Sequence, residues 1–136
     1  MIKEVVHDPF LLARKSKEAT FDDISVADDL LDTLKANAAG CVGMAANMIG
    51  VTKNIIVFDN NGKYEEMFNP EIIDRKGVFE TQEGCLSLSG VRTTKRYKKI
   101  KVRWQNRKFE WRIKTFEGFT AQIIQHEIDH LDGILI

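Results

Sequence analysis

The chain has 136 residues, 43% hydrophobic and 29% charged, with two prolines. This is the composition of an ordinary globular chain, and the length leads us to expect one domain over residues 1–136 with a real core. Twenty basic residues balance twenty acidic ones, so the charge does not call for nucleic acid or an anionic membrane as partner. The first residues, Met1 to Asp8, hold no apolar signal core, and no apolar run approaches the ~18 residues of a membrane span, so a cytoplasmic location is expected. Cys41 and Cys85 are too few for a disulfide framework; in a reducing compartment a thiol near histidines reads as a ligand or a nucleophile.

Residues 1–20 read as irregular, with a turn at Asp8-Pro9. From Asp22 to Ala39 the positions Ile24, Val26, Leu30, Leu31, Leu34 and Ala38 follow a helical period, with Asp22 or Asp23 available as a cap and Gly40 as a stop. Gly43 to Gly50 is a segment of small residues. Asn54 to Phe58 reads as a strand, Asp59-Asn60-Asn61-Gly62 as a turn, and Tyr64 to Phe68 as the returning strand, halted by Asn69-Pro70. Ile72 to Thr81 and Ile100 to Trp104 read as extended. Gln105-Asn106-Arg107 turns the chain into Phe109–Ile113, where apolar and charged residues alternate as in a strand with one wet face. Arg92 to Lys101 carries six basic residues in ten. A solvated strand edge guarded by lysines explains them better than a polyanion site. Helix, several antiparallel strands and a final helix argue for an α+β fold.

That final helix carries the chemistry. Gln125-His126-Glu127-Ile128-Asp129-His130-Leu131-Asp132-Gly133 holds two of the three histidines, four residues apart and so one turn apart on one face. A divalent metal can bridge His126 and His130, and Glu127 can reach a water beside it as general base. Apolar residues at Phe119, Ile123, Ile124, Ile128 and Leu131 suit a buried helix, and Gly133 suits its end. A catalytic metal site takes three protein ligands and leaves one position open. No His, Glu or Cys follows His130, so the third ligand comes from upstream. Cys85 is the best candidate, with Gly84 letting backbone approach the metal; its other reading is a small buried hydrophobe.

Taken together, Glu83-Gly84-Cys85-Leu86-Ser87 and Gln125 to Gly133 resemble the second and third motifs of the peptide deformylases. Cys41-Val42-Gly43-Met44-Ala45-Ala46-Asn47-Met48 aligns with the first motif of that family. Met67-Phe68-Asn69-Pro70 and the segment around Arg96-Tyr97 extend the likeness over nearly the whole chain. The resemblance implies antiparallel sheets packed around a central metal-binding helix, and removal of the formyl group from the N-terminal formyl-methionine of nascent polypeptides. It implies Cys85, His126 and His130 as ligands of Fe²⁺, with Zn²⁺, Ni²⁺ or Co²⁺ as substitutes. Glu127 would move the proton, and the Leu86 N–H would donate to the oxyanion. Gly43, Gly84, Met44, Met48 and Arg92 are expected at the substrate, Gly43 and Gly84 along its backbone. Met44, Leu86, Ile123 and His126 are expected around the methionine side chain. The partner is a formylated nascent peptide met in transient proximity to the ribosome, and the protein is expected to be a monomer.

Two positions depart from the family pattern. Met48 stands where the first motif has a glutamine whose amide donates to the oxyanion, and a thioether cannot donate. Losing one such donor costs roughly 10²–10³ in rate, so reduced activity is expected unless Asn47 or a water substitutes. Cys41 replaces the first glycine of the same motif. The alternatives are a catalytically degenerate metal- or peptide-binding protein and, more weakly, an endoprotease. Asp129 is expected to pair with Arg92 or Arg96 and so fix the helix against the strand after Cys85.

Overall fold

A computed structural model describes all of residues 1–136. Its centre is a five-stranded antiparallel sheet in sequential order, β1 Gly43–Ala45, β2 Ile55–Asn60, β3 Lys63–Gly84, β4 Val91–Gln105 and β5 Trp111–Glu117. A short helix α1 (Pro9–Leu12) and the amphipathic α2 (Ile24–Ala36) precede the sheet, and α3 (Gly118–Leu131) follows it. The architecture is α+β, as the order of sequence patterns led us to expect.

Strands β1 and β2, with Met67-Phe68 of β3, are apolar on both faces because each face is covered there by a helix. Ile55, Val57, Phe68 and Met44 face Ala27, Leu30 and Leu34 of α2. Ile56, Phe58, Met67 and Ala45 face Ala121, Ile123, Ile124 and Leu131 of α3, with Ile100, Val102 and Phe116 closing that layer. Burial of these side chains, at about 1.5–3 kcal/mol each, is the principal force holding α3 on the sheet. Gln125 adds a polar clasp: its side-chain amide accepts from the Tyr97 N–H at 2.9 Å and donates to the Tyr97 carbonyl at 2.8 Å.

Several boundaries differ from those the sequence suggested. Asn69-Pro70 does not halt the strand; β3 runs through it with one register shift across it, between Phe68 and Glu71, and a second between Ile72 and Asp74. Asn69 adopts φ 52° and its side chain takes over the missing ladder bonds, accepting from Ala19 N–H at 2.7 Å and donating to Gln105 at 2.7 Å. Proline, lacking an N–H, fits such a bulge. The last strand begins at Trp111 rather than Phe109, since Phe109 has φ 57° and turns inward to stack on Phe68 and Phe21. Trp111 and Ile113 are exposed, and Phe116 is the buried residue of that strand. The helix before β1 stops at Ala36, where the Asn37 amide caps the Thr33 carbonyl.

The first residues form a strap across the site end of the molecule. Lys3 N–H donates to the Thr33 hydroxyl at 2.9 Å, Val6 N–H to the Met48 carbonyl at 2.8 Å, and Ser16 N–H to the Leu131 carbonyl at 2.8 Å. No helix is long and apolar enough to cross a membrane.

Candidate metal centre and active site

Helix α3 brings His126 and His130 to one face, and their Nε2 atoms lie 3.1 Å apart. Cys85, just past the end of β3, places its sulfur 3.3 Å from His130 Nε2. One ligand atom from each of these three residues lies within 4.8 Å of the other two. Soft sulfur beside two imidazole nitrogens is a donor set that suits a divalent transition metal. The surroundings fit one as well. Burial would lower the His126 imidazolium, but Cys85, Glu83 and the charge of Glu127 outweigh it and raise it to about 10. Burial and the charge of His126 push His130 down to about 3. One proton is thus held among donors that a bound cation would satisfy together.

The orientation of His126 is fixed from behind. Its Nδ1–H donates to Glu83 Oε1 at 2.8 Å, which turns Nε2 toward His130 and the thiol. Glu83 also accepts from Arg96 Nη2 at 2.8 Å and Nε at 3.0 Å, and from Gln122 at 2.8 Å. Burial would raise the Glu83 carboxyl, but these hydrogen bonds hold it down at about 2. Arg96 reaches on to Asp129 at 2.7 Å, so the expected helix–strand pair uses Arg96. Arg92 instead points to the Ser89 carbonyl at 3.4 Å and lies outside the cleft. The sequence reading missed Glu83 and Gln122; an acid directly before Gly84-Cys85, with an arginine 13 residues on, was the available signal.

A cleft of about 690 Å³ opens onto this cluster, lined among others by Gly43, Met48, Gly84, Leu86, Ile123 and Glu127. Glu127 is 4% exposed and its Oε1 has no partner. Burial raises its carboxyl to about 7, where a general base both takes and returns a proton readily. Gly43 makes room for it: a Cβ there would stand 2.8 Å from Glu127 Oε2 and 2.7 Å from Ile123. Leu86 lines the cleft, and its N–H donates to no group of the protein. Phe119 is 63% exposed at the cleft wall rather than buried. Met44, expected beside the substrate, is fully buried in the α2-facing core and does not reach the cleft.

Met48 lines the cleft, yet its sulfur accepts the Ala45 N–H at 3.4 Å. Asn47 is turned away, donating to the His130 carbonyl at 2.8 Å and the Leu12 carbonyl at 3.4 Å. Neither side chain presents an N–H to the cleft.

Comparison with known proteins agrees with this geometry. The family model for polypeptide deformylase matches residues 2–136. A peptide deformylase of Clostridium beijerinckii is 53% identical over 136 residues, covering all of both chains. One from Carboxydothermus hydrogenoformans is 42% identical over 133 residues, 96% of this chain and 86% of that one. Among solved structures, the Thermotoga maritima peptide deformylase superposes with TM-score 0.89 at 30% identity, covering 99% and 95% of the two chains. A Met-Ala-Ser-bound class I type b peptide deformylase from Acinetobacter baumannii gives 0.90 at 26% identity, covering 99% and 97%. The chain belongs to the polypeptide deformylase family.

Proposed function

We propose that this chain hydrolyses the formamide bond of N-terminal formyl-methionine on nascent polypeptides, as a cytoplasmic monomer meeting its substrates near the ribosome. The observation that carries the reading is a thiol and two imidazoles converging beside a buried carboxyl with an unpartnered oxygen, at the floor of an open cleft. Cys85, His126 and His130 would hold the metal, iron(II) by family likeness, with zinc, nickel or cobalt as replacements. When bound, such an ion supplies Lewis acidity to the hydrolytic water and to the formyl oxygen.

The remaining steps belong to the protein. Glu127 takes a proton from the attacking water and returns it to the departing amine, so that formate and a free N-terminus leave. The Leu86 N–H donates to the oxyanion as the formyl carbon becomes tetrahedral. Gly43 and Gly84 leave backbone accessible along the cleft for an extended peptide. Met48 offers no donor, so turnover is reduced by roughly 10²–10³ relative to a site with an amide there.

The test is hydrolysis of a formyl-Met tripeptide by metal-loaded protein under anaerobic conditions. Turnover well above a Glu127→Ala control is expected; equality with that control would leave the second reading, a metal- and peptide-binding protein without catalysis, which the Met48 sulfur favours. Met48→Gln should raise kcat at least about tenfold, and an unchanged rate would mean that residue 48 does not face the oxyanion.

A further inference from the structure

His7 is the third histidine of the chain, and no step above uses it. It stands at the cleft wall, and its Nδ1 lies 2.9 Å from the Ser87 carbonyl oxygen, 80 residues away in sequence. Facing a carbonyl, Nδ1 carries the proton and donates. Its acceptor sits in an unusual piece of chain. None of residues 85–90 takes part in a backbone–backbone hydrogen bond, although the segment holds Cys85 and the unpartnered Leu86 N–H. Leu88 anchors the segment in the core, the Ser87 hydroxyl is buried without a partner, and Arg92 offers one long contact to the Ser89 carbonyl. The short bond from His7 is therefore the main polar tether of this segment. One residue earlier, Val6 N–H holds the Met48 carbonyl at 2.8 Å. Two consecutive residues thus fasten both cleft walls, the one carrying Met48 and the one carrying Cys85 and Leu86.

We infer that His7 is a positioning residue of this site: by donating to the Ser87 carbonyl it holds the Cys85–Leu86 turn where the thiol meets the two imidazoles and the Leu86 N–H faces the reacting carbonyl. The inference rests on the proposed deformylase reading for its kinetic arm only. A segment without ladder bonds has several conformations available, and removing the tether spreads Leu86 among them. The consequence falls on the transition state and on metal retention more than on peptide binding, because the amide gains its partner only as the oxyanion forms.

The experiment compares His7→Ala, His7→Asn and His7→Gln with the parent as cobalt(II)-loaded protein. Kinetics on a formyl-Met tripeptide, the rate of cobalt release to a chelator and the cobalt(II) absorption bands are read on each. An Asn amide can donate from the Nδ1 position, whereas Gln reaches too far. His7→Ala should lower kcat about tenfold with KM within about twofold, and speed cobalt release about tenfold, as for residues that orient a ligand. His7→Asn should recover most of both effects and His7→Gln little. Parent-like cobalt release and spectrum in His7→Ala would overturn the inference, as would equal losses in the Ala and Asn variants. If the parent itself shows no turnover, the deformylase reading falls while cobalt release and the spectrum still decide the role of His7.

Discussion

The two imidazoles and the thiol of the proposed metal site are held by opposite means. His126 and His130 ride on a helix clamped by an apolar layer, by the Gln125–Tyr97 clasp and by the Asn47 bond to the His130 carbonyl. Behind His126 stands a buried carboxylate, Glu83, held in turn by Arg96 and Gln122. Cys85 sits on a segment without a single backbone–backbone hydrogen bond, tied down by one core leucine and by His7. The imidazoles are held by the packing and hydrogen bonds of their own helix, whereas the thiol depends on distant tethers for its place. Rigid ligands define the geometry, and an adaptable one closes it.

Breaking the rigid side should cost most. Glu83→Ala removes the acceptor of His126 Nδ1 and strands the 4%-exposed Arg96 with Asp129 as its one remaining carboxylate. The expected loss is about 3 kcal/mol or more in denaturant unfolding, with metal affinity lowered about 10–100-fold. Parent-like stability would show that Arg96 is satisfied without Glu83. On the adaptable side, Leu88→Ala should cost only about 2 kcal/mol, the low end for a buried leucine, because a segment without ladder bonds can settle into the space. A loss matching that of Glu83→Ala would mean the two sides are equally rigid. The mildest perturbation is removal of the metal. After chelation, proteolytic cleavage between residues 85 and 90 should quicken severalfold, with α3 left intact; initial cutting in α3 would invert the contrast.

The same contrast explains what the sequence disclosed. The histidine spacing showed which helix face carries ligands, because four residues on a helix leave little freedom. The α+β order was legible from periodicity and turn residues together, and the turn at Asp59–Gly62 from its residue types. Long-range features were not. Nothing local in Asn69-Pro70 announces that Ala19 and Gln105 will bridge the bulge, and Phe109 alternates like a strand residue until tertiary stacking pulls it inward. Glu83 was read only as part of a motif, and His7 was given no role, because their partners lie 43 and 80 residues away. Met44 and Met48 belong to one run of small residues, and only the pairing of β1 with β2 decides that the first turns into the core.

The hairpin joining β2 to β3 has a consequence for the distant catalytic end. Alternation usually guards strand register, since a one-residue slip would carry apolar side chains into water. Along β2 that safeguard is missing, because Ile55 to Phe58 would find oil on either side. Alignment then falls to the two-residue reversal at Asn61 and Gly62, both in the left-handed region, with the Gly62 N–H tied to Asp59 at 2.7 Å. A surface corner with no chemistry of its own thereby determines how the β1 edge is seated, and with it the gap that Gly43 leaves for Glu127.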